Sequence, residues 1–165
     1  MLDRNPQNNL MVRATFNLPS IAKPRAASFE SVAMTHLNDL YRIALHLLQQ
    51  PGQASAAVEE TFVRARIAFG DHPRVTNSRT RMFQILIQVV RLTRNPSPGG
   101  GSSSFVVSTM NRIPLHFREA LLIVDALGFS YDDAARVLGL SEDVVAHHII
   151  QGRNHLQFEM ERKCV

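Results

Sequence analysis

Hydrophobic residues recur at steps of three and four along most of the chain, a spacing that predicts amphipathic helices rather than strands. The pattern predicts a first helix from residue 28 to a Pro-Gly pair at residues 51–52, and a second over residues 54–69. A third helix is predicted over residues 78–94. Because its middle is apolar on nearly every side, this helix is expected inside a bundle; its β-branched residues would also permit a strand, but no partner strand is visible.

The second half of the chain follows a stretch rich in proline, glycine and serine at residues 95–104. A helix is predicted from about Val106 to a break at Pro114. A further helix follows and ends at Gly128, because glycine readily adopts the left-handed conformation of a helix C-cap. The succession of helical segments predicts an all-α fold.

Residues 128–156 have the pattern of a helix-turn-helix. Ser130 is placed to cap a short first helix, with Asp133 as its reciprocal partner in a capping box. Gly139 allows the positive φ of a tight turn, and Ser141 is placed to cap the second helix. The second helix is expected to bury Val145, Ile149, Gly152 and Leu156 and to present Asp143, His147, Ile150 and Asn154 outward. In a DNA-binding helix-turn-helix, the outward face enters the major groove.

Composition divides the chain into four segments. Residues 1–27 contain prolines among polar and small residues without any period, and are expected to be a flexible arm. Residues 28–94 carry the three predicted helices of a first domain. Residues 95–104 have the composition of a flexible linker. Residues 105–165 form the helix-turn-helix domain, so the prediction is two small helical domains on a tether.

The charge of the chain is unevenly distributed. The net charge of +4 is made up of +1 over residues 1–71, +7 over residues 72–118, which contain no acid, and −4 over residues 119–165. The middle section is therefore the expected region of contact with a polyanion, since each neutralised phosphate releases counterions. The helix-turn-helix section, by contrast, is acidic.

Several chemistries find little support in the sequence. One cysteine cannot build a disulfide framework or a cysteine-based zinc site. His147, His148 and His155, even with Cys164, are poorly placed to share a metal ion, because neighbours on a helix point about 100° apart. The glycines of residues 99–102 lack the lysine of a phosphate-binding loop. No metal or other cofactor is expected, and no catalytic set can be assembled, so an enzyme is not expected.

The chain also lacks the patterns of membrane and secreted proteins. No stretch approaches the roughly 18 apolar residues that a membrane span requires. The N-terminus lacks the basic-then-apolar pattern of a secretory signal. No membrane association and no small-molecule substrate are expected, and the cytoplasm is the expected location.

The order of the segments resembles the bacterial extracytoplasmic-function (ECF) sigma factors of RNA polymerase, in a diverged form. The resemblance extends over residues 28–156 and depends on several short stretches in the family's order. These are His36-Leu37-Asn38-Asp39-Leu40-Tyr41, Val58-Glu59-Glu60-Thr61-Phe62-Val63-Arg64-Ala65, Thr76-Asn77-Ser78-Arg79, Ile113-Pro114, Phe117-Arg118-Glu119, Gly128-Phe129-Ser130-Tyr131 and Gly152-Arg153. The first domain would be similar to sigma region 2 and the second to sigma region 4.

The resemblance implies a function and partners. The first domain would dock on core RNA polymerase and hold the −10 promoter element as it melts. The helix-turn-helix would contact the −35 element as duplex DNA. An anti-sigma factor would be the expected regulator of such a protein.

Three sets of candidate residues follow from the resemblance. The −10 candidates are Arg74, Asn77, Arg79 and Arg81, because guanidinium groups can neutralise the phosphates of a melted strand or stack on its bases. The −35 candidates are His147, His148, Arg153 and Asn154. The polymerase-binding candidates are Val58, Glu59, Glu60 and Phe62.

The chain departs from the family's pattern where duplex DNA would bind. Ala146 and His148 stand where the recognition helix usually has basic residues, and Glu142 and Asp143 begin that helix. Arg81 stands where the family usually has a tryptophan. Because histidine is mostly neutral at pH 7 and acids repel phosphates, duplex binding by the second domain alone is expected to be weak.

Two classes of function remain open, and a third is weaker. The preferred one is a promoter-specificity factor whose arginine-rich middle section faces outward and holds the promoter. The alternative is a degenerate sigma-like protein that binds an anti-sigma factor and lacks promoter activity of its own. A free-standing helix-turn-helix repressor would need a dimer interface, and the sequence shows none.

Overall fold

The computed structural model describes most of the helical part of the chain. It covers residues 29–70, 77–93 and 105–162, apart from the side chains of residues 105–108. All regular secondary structure in these ranges is helical, as predicted, and no strand occurs within them. The fold class predicted from the sequence is therefore confirmed.

Some predictions fall outside the described residues. The arm at residues 1–27 and the linker at residues 95–104 are among them. So are Arg74, one of the −10 candidates, and Cys164. The domain boundaries placed in those segments stay predictions.

Three helices form the first helical group: α1 (Phe29–Leu48), α2 (Pro51–Phe69) and α3 (Ser78–Thr93). α1 packs along α2, and both contact α3. Leu40 of α1 and Phe83 of α3 are fully buried in the core between them. Buried positions occupy most of the circumference of α3, as its apolar sequence predicted.

The second helix begins at Pro51 rather than at Ala54. Gln50, just before it, is extended, and Pro51 occupies the first turn, where the missing backbone N–H is not needed. The N–H of Ala54 already donates to the carbonyl of Gln50 at 2.9 Å. The proline that ends one helix therefore also begins the next.

The second helical group contains four α-helices and one π-helical turn. They are α4 (Phe105–Arg112), α5 (Leu115–Leu121), the π turn (Leu122–Ala126), α6 (Tyr131–Leu138) and α7 (Glu142–Glu161). The sequence predicted one continuous helix where α5 and the π turn lie. The C-cap at Gly128 is confirmed, since its φ is 70° and its N–H donates to the carbonyl of Val124 at 3.0 Å. The N–H of Phe129 donates to the carbonyl of Ile123 at 3.2 Å, one residue further back than in the usual two-bond helix end, as expected directly after a π turn.

The predicted helix-turn-helix is present as α6 and α7. The hydroxyl oxygen of Ser130 accepts from the N–H of Asp133 at 3.1 Å, and that of Ser141 accepts from the N–H of Val144 at 3.4 Å. Gly139 between the helices has a φ of 70°, as the turn requires. The Asp133 carboxylate accepts from the Ser130 hydroxyl at 3.2 Å, whereas a capping box would use the Ser130 backbone N–H.

The two helical groups pack against each other. α3 lies along α6, and α1 contacts α5. The rings of Phe83 and Phe129 meet edge to face with their centroids 5.4 Å apart. The hydroxyl of Thr80 donates to the carboxylate of Asp133 at 3.3 Å. The beginning of α3, which carries several −10 candidates, is therefore placed close to the second helical group.

Candidate nucleic-acid and protein interfaces

Three of the −10 candidates, Asn77, Arg79 and Arg81, lie just before or within the first turn of α3. Asn77 and Arg81 are exposed. Arg79 instead turns toward the second helical group: its Nη2 donates to the carbonyl of Leu127 at 2.6 Å, and its guanidinium carbon lies 4.2 Å from the centroid of the Phe129 ring. A guanidinium stacked on a ring and bonded to a carbonyl has lost part of its hydration. The structure therefore separates Arg79 from Asn77 and Arg81, which remain open to solvent.

A polar cleft of about 450 Å³ lies beside Arg81, between α2 and α3. It is lined by Arg64, Ala68, Arg81, Gln84, Ile85 and Gln88. Arg64 also pairs with Glu60 at 2.6 Å, while the Arg81 guanidinium lies 5.7 Å from the centroid of the Phe69 ring. Guanidinium and amide groups suit phosphates and base edges. Sequence reasoning missed Arg64, Gln84 and Gln88, although the four-residue step between the glutamines places them on one helix face.

Part of the positive charge of the middle section is used within the chain. Arg91 donates to both oxygens of the Glu119 carboxylate, at 2.6 and 3.1 Å, and to the carbonyl of Leu138 at 3.2 Å. The bonds to Glu119 raise the pKa of Arg91. Arg118 is buried and donates to two carbonyls near the end of α4. The prediction that the section as a whole faces outward is therefore wrong for Arg118, whereas Arg91 remains exposed but has its charge paired with Glu119.

Two −35 candidates lie where a recognition helix would meet DNA. His147 and Asn154 are exposed on one side of α7, together with Ile150. Val145 and Ile149 are fully buried on the other side. The predicted division of α7 into an inner and an outer face is confirmed, while the contact with DNA stays a prediction.

The other two −35 candidates are engaged within the chain. Arg153 forms a two-bond ion pair with Asp125, at 2.7 and 3.1 Å, which raises the pKa of Arg153. His148 turns inward, with its ring 5.0 Å from that of His116 and 5.3 Å from that of Phe117. Burial, and then the nearby imidazole of His116, lower the pKa of His148. Consecutive residues of a helix point about 100° apart, so His148 turns inward although its neighbour His147 faces outward. The inward position of His148 does not favour contact with a base edge.

Three of the four polymerase-binding candidates line an apolar cleft of about 350 Å³ between α1 and α2. The cleft is lined by Leu37, Asn38, Tyr41, Ser55, Val58, Glu59 and Phe62. Val58 is buried and forms the wall, Phe62 is partly buried, and Glu59 is exposed. Glu60 does not line the cleft and pairs with Arg64 instead. Three of the four candidates are thus brought together, with a carboxylate at the edge of an apolar surface.

Neither a metal site nor a membrane span is found among the described residues. Over residues 29–70, 77–93 and 105–162, no three histidine, cysteine, aspartate or glutamate side chains are arranged to hold a metal ion. None of the helices described combines the length and the apolar character that crossing a bilayer would require. His148 and His155 instead lie against the ring of Phe117, at centroid distances of 5.3 and 5.6 Å.

No protein-family model matches the chain. Two curated relatives do: a probable RNA polymerase sigma-C factor of Mycobacterium bovis and the ECF RNA polymerase sigma factor SigC of Mycobacterium tuberculosis. Each is 27% identical to the chain over 164 residues, covering 86% of the chain and 88% of the relative.

Solved structures share the fold. The structure of CnrH in complex with the cytosolic domain of CnrY matches with a TM-score of 0.70 at 25% identity, over 81% of this chain and 88% of the other. The co-crystal structure of the sigma factor RpoE with the anti-sigma factor NepR from Bartonella quintana also gives a TM-score of 0.70, at 21% identity, over 81% and 96% of the two chains.

The described residues form a three-helix group packed on a helix-turn-helix group, and the chain is similar over most of its length to proteins named as sigma factors. The resemblance to ECF sigma factors that the sequence predicted is confirmed, because the similarity extends over both groups.

Proposed function

We propose that this chain is a transcription initiation factor that binds core RNA polymerase and directs it to a class of promoters. The observation that carries the proposal is the similarity to RNA polymerase sigma factors over 86% of the chain. Similarity confined to the helix-turn-helix would suit many DNA-binding proteins. Similarity that includes α1–α3 adds the part that would dock on the polymerase. The degenerate, promoter-inactive alternative is not favoured by the relatives.

The two parts of the chain would divide the work. A first domain over residues 28–94 would bind the polymerase through the α1–α2 cleft and the melted −10 strand through Arg74, Asn77, Arg79 and Arg81. Residues 95–104 would link it to the helix-turn-helix domain, residues 105–165. The exposure of Asn77 and Arg81 beside a cleft of arginines and glutamines supports the first assignment.

The second domain would contribute less to DNA affinity. His147 and Asn154 are available on α7, but Arg153 is held by Asp125 and His148 turns inward. Affinity for duplex DNA grows with the number of phosphates that cations neutralise. The −35 contact is therefore expected to orient the complex while the first domain and the polymerase supply most of the binding.

Regulation would come from an anti-sigma factor. Similar solved structures contain such partners: CnrH with the cytosolic domain of CnrY, and RpoE with the anti-sigma factor NepR. In this role the chain is a specificity subunit rather than an enzyme, and it acts in the cytoplasm with the polymerase.

The test is transcription in a purified system. Core polymerase with the full chain is expected to initiate from a subset of a promoter library, and core polymerase alone is not. Phe62→Ala, which removes a ring from the α1–α2 cleft, is expected to lower initiation and polymerase binding by about tenfold. Val63→Ala, at the adjacent exposed position, is the matched control and should retain both. Failure to bind core polymerase at all would overturn the proposal.

A further inference from the structure

The α1–α2 cleft leaves apolar surface open to solvent. Leu37, Tyr41 and Phe62, which line it, are each only partly buried. Met34, one turn before Leu37 on α1, is 64% exposed. Apolar side chains gathered in a concave surface are typical of a place where another molecule or segment binds. The cleft therefore has the character of a binding site for apolar side chains.

The charge at the edge of the cleft is negative. Glu59 is exposed there, and none of the described residues that line the cleft is a lysine or an arginine. The next acid along α2, Glu60, is already paired with Arg64 at 2.6 Å. An occupant of complementary chemistry would therefore combine apolar side chains with an excess of basic residues.

The sequence before α1 has this chemistry. Over residues 10–18, which we call the alternating segment, every second residue is apolar: Leu10, Val12, Ala14, Phe16 and Leu18. Such an alternation places the apolar side chains on one side of an extended segment. The alternating segment is thus a local exception to the lack of a period over residues 1–27. Those 27 residues also contain four basic residues and one acid.

The alternating segment is attached close to the cleft. Ten residues join Leu18 to Phe29, the first residue of α1, and can span up to roughly 33 Å. Leu37 and Tyr41 lie only roughly 12 and 18 Å along the helix axis from Phe29. The connection is therefore long enough for the segment to return to the cleft. It also holds the segment near the cleft at an effective concentration in about the millimolar range.

We propose that the alternating segment binds the α1–α2 cleft of its own chain, with its apolar side chains against Leu37, Tyr41 and Phe62. The apolar contacts supply most of the affinity, and Glu59 attracts the excess positive charge of residues 1–27. The consequence rests on the proposed function. A cleft that also serves to dock on core polymerase is masked by the chain itself, and the polymerase must displace the segment.

The test introduces one indole into the full chain, which contains no tryptophan of its own. Phe16→Trp places the indole on the apolar side of the alternating segment, and Asn17→Trp, the matched control, places it on the other side. The indole of Phe16→Trp is expected to emit at shorter wavelength and to be less accessible to a soluble quencher, because the cleft removes it from water. Equal emission and equal quenching at the two positions would overturn the proposal.

Second substitutions locate the contact. Leu37→Asp is expected to move the emission of Phe16→Trp to that of Asn17→Trp, and Tyr41→Ser repeats this at another lining position. Ile67→Asp is the matched control, because Ile67 is 80% exposed on α2 and does not line the cleft. Circular dichroism establishes that each variant is folded. Equal effects of Leu37→Asp and Ile67→Asp, or a contact that is lost on dilution and so belongs to a second copy, would contradict the assignment.

Core polymerase separates this inference from the proposed function. Polymerase is expected to bind the Phe16→Trp chain and to return its emission to longer wavelength as the segment is displaced. Val12→Asp should raise the affinity for polymerase several-fold, since the cleft is then open in more of the molecules, whereas Met11→Asp should not. A docked segment in a chain that binds no polymerase would overturn the proposed function and uphold the contact. Polymerase binding without any change in emission would overturn the masking.

Discussion

Gly152 lies in α7 at the point where that helix is closest to Leu121 of α5. A Cβ placed on Gly152 would lie 2.9 Å from both Cγ and Cδ1 of Leu121, which is itself buried. The sequence placed Gly152 on the inner side of the helix. It could not identify Leu121 as the opposing residue, because that contact joins residues of two separate helices and depends on how they cross.

Gly152→Ala is expected to cost about 1–3 kcal/mol in overpacking, since Leu121 must move within a packed core. The helix propensity of alanine offsets about 1 kcal/mol of this, so a net loss of stability of up to about 2 kcal/mol is expected. Urea denaturation followed by circular dichroism measures the difference. Gly52→Ala is the control: no atom lies within 4 Å of its Cβ, so that variant should be neutral or slightly more stable. Equal effects at the two glycines would contradict the contact.

Three histidines link stability to pH. Burial is the main cause that lowers the pKa of His36, His46 and His148, and nearby Arg79, Arg42 and His116 respectively add to it. The unfolded chain takes up these protons near pH 6.5, before the folded chain does. Stability is therefore expected to decrease as pH falls from about 7 to about 5.5, because the unfolded state binds more protons.

Urea denaturation across this range measures the slope. His148→Gln should make the slope shallower, because glutamine does not titrate. A parent protein whose stability is constant, or increases, as pH falls over this range would contradict the assignment.

At the scale of elements, Arg91 of α3 and Glu119 of α5 join the two helical groups. Glu119 is only 2% exposed, and the Arg91 guanidinium is its two-bond partner. Removing Arg91 would leave the charge of the buried Glu119 carboxylate uncompensated. Arg91→Ala is therefore expected to lower the free energy of unfolding by about 3 kcal/mol.

The control is Arg64→Ala on α2, whose pair with Glu60 is exposed and should contribute only about 0.5 kcal/mol. Both values come from urea denaturation at neutral pH. Equal costs for the two alanine variants at neutral pH would show that the pair does not stabilise the contact between the groups.

The sequence predicted those elements whose signals are local. Periodic apolar positions located α1 and α3, and the serine caps and Gly139 located α6 and α7. The early start of α2 was missed because Pro51 serves equally well to end a helix and to begin one. The π turn was missed because its five residues have the same apolar character as the helix they continue.

For the candidate site, sequence reasoning identified residues by type and could not identify their partners. Arg91 and Glu119 are 28 positions apart, and Arg79 and Leu127 are 48 apart. No spacing rule pairs residues at such distances. Formal charge therefore overstated how much of the middle section is free for a polyanion.

At the scale of the whole molecule, the packing of the two helical groups engages Arg79, one of the candidate −10 residues. The Arg79 guanidinium is bonded to the carbonyl of Leu127 and stacked on Phe129, so it cannot simultaneously contact a phosphate of a melted strand with the same atoms. Binding to DNA through these atoms would require the Arg79 side chain to leave Leu127 and Phe129. Promoter binding through Arg79 would then be coupled to the loss of this contact between the two helical groups.

Loosening the contact is therefore expected to increase affinity for single-stranded −10 DNA. Phe129→Ala removes the ring that holds Arg79 and contacts Phe83, and a several-fold gain is expected, since a small shift in population lowers the apparent dissociation constant in proportion. Thr80→Val, which removes the hydrogen bond to Asp133, tests the same contact without deleting a core ring.

Fluorescence anisotropy with a labelled single strand measures the affinity, and small-angle scattering measures the separation of the groups. Phe158→Ala is the matched control, since that phenylalanine is exposed on α7 and away from α3, and it should leave affinity unchanged. Adding Arg79→Ala to Phe129→Ala should abolish the gain, because the gain depends on the released guanidinium. A gain that persists without Arg79 would mean that other cations, such as Arg81 beside the polar cleft, hold the strand and that the packing of the two groups does not limit it.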